Sequence, residues 1–323
     1  MVYDIHVHIA GTGSGGSGNY LSPAFRKRLS FRLLARKIEL PVNGPDQPDA
    51  DQRIRERLLS WLDSSEVDKA VFLAFDAPYK RDGTCDQAST LMVTSNDFVA
   101  DMAATHHKVL FGASVHPYRR DALEELERVV ARGACLVKWL PGAQNIRPDD
   151  PICFPFYEIL AHHKVPLLSH TGVEHVLKSF SNSLNDPRRL IPALDRGVTV
   201  IAAHCGTRIM LHERSWFRIW CEMALKYENF FGDISAFGLP VRAWTLRSLL
   251  RDSKLTAKLV YGSDIPMVAM PLSFIGHVGI RRLLKLGQIR NPFDQPVELM
   301  RAAGVPEEVF ARAGRLLRIS NNI

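Results

Sequence analysis

The chain has 323 residues, 46% hydrophobic and 23% charged, which excludes a disordered or fibrous polymer and suits one large globular domain. Lys and Arg outnumber Asp and Glu by 41 to 34, a formal charge of +7 that permits anionic partners without singling out nucleic acid. Five scattered cysteines with no CxxC pair argue against a disulfide framework, and no apolar run approaches the roughly 18 residues of a membrane span. With no basic-then-apolar leader at the N-terminus, the expectation is a cytoplasmic protein acting on a small molecule. No membrane or nucleic-acid partner is expected, and self-association is left open.

The first stretch, VYDIHVH (2–8), reads as a strand. Strand alternation would place Asp4, His6 and His8 on one face and Tyr3, Ile5 and Val7 on the other. GTGSGGSG follows. It matches GxGxxG at Gly11, Gly13 and Gly16, but NYLSP comes next, and Pro23 argues against a helix opening from the loop as a dinucleotide cradle requires. A flexible loop beside the mouth of strand one is expected instead. It begins an insertion spanning about 11–50. That insertion carries a helix-like run with Arg26, Lys27, Arg28, Arg32, Arg36 and Lys37 on a solvated face, then an irregular tail at Pro41, Pro45 and Pro48.

Seven more apolar, strand-like runs follow: 69–75, 109–115, 134–140, 165–170, 198–204, 229–235 and 257–264. Helix-like segments separate them at about 51–65, 92–106, 120–132, 154–164, 187–196, 214–227 and 240–252, and EEVFARAGRLLRI forms a last amphipathic helix. Eight strands alternating with helices, each strand nearly continuously apolar, predict an α/β fold: a (β/α)8 TIM barrel. It would be a single domain over 1–323, with the insertion after strand one and extra C-terminal helices.

In such a barrel the C-terminal strand ends share one rim. There stand His6 and His8 (strand one), His116 (after strand three), Lys138 (four), His170 (five), His204 (six) and Asp264 (eight). Singly, each has an ordinary explanation: a rim hydrogen bond, a cap, a snorkelling lysine. Together they are a set of imidazole and carboxylate ligands suited to Zn²⁺, the first choice, or Mn²⁺.

DIHVH, LVKWLP, SHTG, AHCG, YGSDIP and EVFARAGRLLRI together resemble the amidohydrolase superfamily, and more narrowly its amidohydrolase-related branch of hydrolases and decarboxylases. The resemblance implies one of two ligand sets. In one, His6, His8, His170 and Asp264 hold a single metal, and His204 orients water or polarises the scissile group. In the other, a carboxylated Lys138 bridges two metals, with His6, His8 and Asp264 on one and His170 and His204 on the other. The implied chemistry is hydrolysis: a metal-bound hydroxide attacks an ester, lactone, amide or phosphoester centre while Asp264 shuttles the proton. The alternative is a lyase, a non-oxidative decarboxylase acting on a small carboxylic acid at one metal. His116, Arg119 and Arg208 are candidates for binding a substrate carboxylate. Asp4 and Glu174 are candidates to support ligand imidazoles, and Trp139, Phe154, Phe156 and Trp244 could wall the pocket.

Overall fold

The computed structural model describes residues 1–37, 47–267 and 269–319. Eight parallel strands are hydrogen-bonded in chain order: β1 (Tyr3–His8), β2 (Lys69–Leu73), β3 (Val109–Ala113), β4 (Ala134–Trp139), β5 (Leu167–His170), β6 (Val200–Ala203), β7 (Phe230–Asp233) and β8 (Leu259–Val260). The chain just past β8 closes the ring onto β1. Asp264 N donates to His6 O at 2.9 Å, His8 N donates to Ile265 O at 2.8 Å, and Val7 bridges Ile265. Helices Ala50–Asp63, Asn96–Thr105, Ala122–Ala131, Phe154–His163, Phe217–Lys226 and Pro240–Leu250 cover the outside, where the alternating pattern placed them. This is the single-domain (β/α)8 TIM barrel.

One local departure decides what the mouth contains. Tyr3 and Asp4 pair with Lys69 and Ala70, but Val7 and His8 pair with Phe72 and Leu73. Three steps along β1 match two along β2, so β1 carries an extra residue at Ile5–His6, a β-bulge. Simple alternation therefore fails. Tyr3 and Ile5 join Val71, Leu73, Leu136, Leu168, Ile201 and Val260 in the barrel interior, while His6 and His8, past the bulge, turn to the rim. Asp4 does not share their face; it pairs beside Ala70, which packs in the layer between sheet and helices. Ala313 of the closing helix (Glu307–Leu316) and Leu317, the residue after it, seal the lower end. Each such side chain contributes about 1.5–3 kcal/mol by burial, so the barrel has a dry floor beneath a polar rim.

The glycine run is not a free tether. The Asp51 carboxylate, at the start of helix Ala50–Asp63, accepts from Thr12 N and Oγ1, Gly13 N, Ser17 Oγ and Asn19 Nδ2, and Asp51 N donates to Ser14 Oγ. A Cβ on Gly11 would lie 2.1 Å from Asn19 Nδ2, and Gly13, Gly15, Gly16 and Gly18 have φ between 65° and 90°. The glycines let the chain wrap one carboxylate; a buried anion receiving this many donors holds the loop in place. Beyond it, helices Pro23–Arg26 and Leu29–Lys37 bury Phe25, Phe31 and Ala35 and expose Arg32 and Arg36. Pro41 and Pro45 lie outside the described residues.

Candidate active site

The rim residues converge. His6 Nε2 and His8 Nε2 are 3.1 Å apart, and Asp264 Oδ1 is 3.5 Å from the first and 3.4 Å from the second. Two donors each about 2.1 Å from one ion, at angles of roughly 90–110°, would be about 3.0–3.4 Å apart. The three separations thus fit one small cation, and among the described residues this is the one His, Cys, Asp or Glu group gathered so closely.

Hydrogen bonding fixes which nitrogen faces the centre. Asp233, at the end of β7 and fully buried, accepts from His6 Nδ1 at 2.7 Å through Oδ2. Its Oδ1 accepts from His204 N at 2.8 Å, Ser235 N at 3.1 Å and Ser235 Oγ. Burial alone would raise the Asp233 pKa; the interaction with His6, including its hydrogen bond, with His204 and Lys138 nearby, brings it well below the ordinary carboxylate range. An ionised carboxylate only accepts, so His6 carries its proton on Nδ1 and aims the Nε2 lone pair at the centre. Asp233 was not among the residues read from the sequence, although it ends the strand-seven run NFFGD just as His170 ends strand five.

His204 is fixed in the same way. Its Nδ1 lies 3.0 Å from Ser235 O and 2.8 Å from Ser235 Oγ. The carbonyl only accepts, and the hydroxyl donates to Asp233, so Nδ1 bears the proton and Nε2 a lone pair. Burial, then Arg242 and His170, hold its pKa well below the usual value, so the ring is neutral and its Nε2 accepts. The His204 ring stacks on His6 at 5.4 Å and meets the His170 ring edge-on at 5.0 Å. His170 Nε2 is buried without a hydrogen-bond partner, 3.7 Å from Glu174 Oε2, which is beyond hydrogen-bond reach. This orphaned imidazole nitrogen is available as a ligand, although it lies outside the group of His6, His8 and Asp264 whose ligand atoms gather within 4.8 Å.

Lys138 Nζ lies 2.8 Å from His6 Nε2, at the same lone pair. Burial lowers its pKa to about 8, against the pull of Asp233, Asp264 and Glu174. For Asp264, burial raises the pKa, but His6, His8 and Lys138 outweigh it and hold the carboxylate ionised. Two of these residues sit in left-handed backbone, His204 at φ 61° and Asp264 at φ 66°. Such non-glycine positions cost about 1–3 kcal/mol each and persist where surrounding bonds over-determine them. Here the Asp264 N to His6 O and His204 N to Asp233 Oδ1 bonds do so.

The other expected residues lie elsewhere. His116 is fully buried; its Nε2 donates to Gln144 O at 2.8 Å and its Nδ1 accepts from Tyr118 N at 3.1 Å. Arg119 pairs with Asp121 at 2.7 Å and Asp76 at 3.2 Å, and Arg208 donates to Leu211 O and Glu213 O. None of the three is among the residues lining the cavity above the triad. Asp4 Oδ1 accepts from His6 N at 3.0 Å and Ser263 N at 2.9 Å, so it ties the bulge to the chain after β8 rather than gripping an imidazole. Glu174 caps its own loop, accepting from Val176 N and Leu177 N, while lining the cavity. The aromatic wall is Phe25 and Phe31 of the insertion with Phe75 past β2. Trp139 packs on Phe156 behind β4, and Trp244 is exposed. Arg242, on helix Pro240–Leu250, lines the cavity too, though its sequence setting, VRAWTLR, looks like an ordinary helix surface.

The model of the family described as Amidohydrolase matches residues 77–284, more than half of the chain, a span that includes Lys138, His170, His204, Asp233 and Asp264. Among solved structures, an uncharacterised TIM-barrel protein from Bordetella bronchiseptica is similar over 97% of this chain and 99% of its own, at 17% identity and a TM-score of 0.59. The 5-carboxyvanillate decarboxylase of Sphingomonas paucimobilis is similar over 99% of both chains, at 15% identity and a TM-score of 0.59. The IDCase of Metarhizium anisopliae, in its apo form, is similar over 98% and 97%, at 14% and 0.52. At these identities the likeness is one of fold. No curated protein matches the chain. By its match to the family model, the chain belongs to the amidohydrolase family, whose members are metal-dependent enzymes.

Proposed function

We propose that the chain is a metal-dependent hydrolase of small ester, lactone, amide or phosphoester substrates. The observation that carries the proposal is the triad of His6 Nε2, His8 Nε2 and Asp264 Oδ1 at ligand-to-ligand spacing, with the His6 tautomer set by Asp233. These three would hold the cation and His170 Nε2 would complete the set; the nitrogen and oxygen donors suit Zn²⁺ or Mn²⁺. Such a cation, when bound, lowers the pKa of a coordinated water from about 15.7 to roughly 7 and polarises a carbonyl or phosphoryl oxygen. Asp264, ionised at any working pH, accepts the proton of the attacking water and returns it to the leaving group. His204, neutral with an accepting Nε2, orients that water. Asp233 keeps His6 in the required tautomer, and the Ser235 carbonyl does the same for His204.

Two observations favour variants of this scheme. Lys138, buried, with its pKa lowered to about 8, is poised to reach the neutral amine that CO2 carboxylates, which supports the two-metal arrangement. The predominantly apolar cavity, with one buried arginine, supports a lyase that decarboxylates a small carboxylic acid. A panel of esters, lactones, amides and phosphoesters, run beside carboxylic acids with CO2 detection, separates the two chemistries. Hydrolysis that falls at least 100-fold in Asp264→Ala is expected. Full turnover in that variant, with the fold intact, would refute the assignment of Asp264.

A further inference from the structure

The cavity above the triad is walled by Ile9, Phe25, Phe31, Phe75, Leu140 and Val176 among other apolar groups. Into it projects Arg242, the third residue of helix Pro240–Leu250, with only 1% of its surface exposed. Its Nε is buried and has no hydrogen-bond partner. Asp264, Asp233 and Glu174 act on it at a distance, yet among the described residues no carboxylate comes within the 4.0 Å of an ion pair. Lys138, the other buried cationic side chain at the rim, has a hydrogen-bond partner in His6.

An unpaired guanidinium in such a place is expensive. Burying a charge without a counter-charge costs several kcal/mol, and arginine does not escape by losing its proton. A chain that retains the arrangement gains from it when a ligand brings the missing anion. The guanidinium fork matches a carboxylate, two N–H groups to two oxygens, better than any ammonium does. The rest of the cavity asks for an apolar body. Its volume of about 150 Å³ is that of a single ring, since an apolar cavity of about this size accommodates benzene.

We infer that Arg242 is the anchor for a substrate carboxylate, and that the substrate is a small monocarboxylate whose ring or short apolar chain lies against Phe25, Phe31 and Phe75. This rests on the reading of the rim as the reacting centre. It assigns to Arg242 the role that the sequence offered to His116, Arg119 and Arg208.

The test needs no turnover. Benzoate, phenylacetate and 3-phenylpropionate, each beside its neutral primary amide, are titrated calorimetrically into the metal-loaded wild-type protein and into Arg242→Met and Arg242→Lys. At least one acid is expected to bind the wild type ten times or more tightly than its amide. That preference should vanish in Arg242→Met and survive in reduced form in Arg242→Lys. Because the wild-type charge is unpaired, Arg242→Met without ligand should melt at or above the wild-type temperature. A wild type that prefers no acid over its amide, or a preference that persists in Arg242→Met, overturns the inference. Since binding is read without turnover, its failure is distinct from a failure of the Asp264 assignment, which is read from turnover alone.

Discussion

Replacing Asp233 by Asn changes the site without touching a proposed ligand. Oδ1 accepts three donors, from His204 N, Ser235 N and Ser235 Oγ, whereas Oδ2 accepts one, from His6 Nδ1. An asparagine has one acceptor oxygen and will place it where three donors wait. Its NH2 then faces His6 Nδ1, which must give up its proton and accept. The proton moves to Nε2, the atom that the centre needs bare. Loss of such a supporting carboxylate typically weakens a metal site 10–100-fold, or about 1.4–2.7 kcal/mol. Competition against a chromophoric chelator at neutral pH, for Zn²⁺ and Mn²⁺ separately, reads that loss directly. Circular dichroism and the melting temperature show that the barrel has survived. Wild-type affinity in a folded Asp233→Asn protein would refute the tautomer assignment.

Three further outcomes are expected. A Cβ on Gly262 would sit 2.8 Å from His6 Cβ, so Gly262→Ala should displace the His6 ring and cost at least tenfold in metal affinity; an unchanged affinity would show that β1 yields freely. Asp51→Ala removes the acceptor of five hydrogen bonds and should cost about 2–3 kcal/mol in urea unfolding. No change in the midpoint would mean that the glycine loop is held by other contacts. Burial lowers the His116 pKa to about 3. The unfolded chain takes up this proton near pH 6.5 and the folded one does not, so stability is full above pH 6.5 and falls as pH drops toward 3, by roughly 4–5 kcal/mol in all. His116→Gln should flatten that part of the stability–pH curve, and an unaltered slope would contradict the role.

Much of this was legible in the sequence because a parallel barrel writes itself plainly. Strands covered on both faces are continuous apolar runs, and the first polar residue after each run lands on the rim. That rule places His170, His204 and Asp264, and applied to NFFGD it reaches Asp233 as well. The bulge in β1 was not legible: it is a property of pairing, and VYDIHVH alternates well enough to suggest one polar face. Asp4 was therefore assigned to the wrong face, while His6 and His8 reach the rim by a different route. Arg242 was hidden by its setting, since a basic residue in an amphipathic helix normally faces water. The loop 11–19 looked mobile because its anchor, Asp51, stands more than thirty residues along the chain. His116 follows strand three as the other rim histidines follow theirs, but its ring turns away to the carbonyl of Gln144.

The central claim is a cation held by the ends of β1 and the turn after β8. Crystals of the metal-loaded protein, measured at the absorption edge of the added zinc or manganese, test it most directly. The expected result is an anomalous peak within about 2.0–2.2 Å of His6 Nε2, His8 Nε2 and an Asp264 oxygen. A second peak, with density beyond Nζ of Lys138, would establish the two-metal form. Full occupancy of metal elsewhere, with these three side chains uncoordinated, would contradict the account.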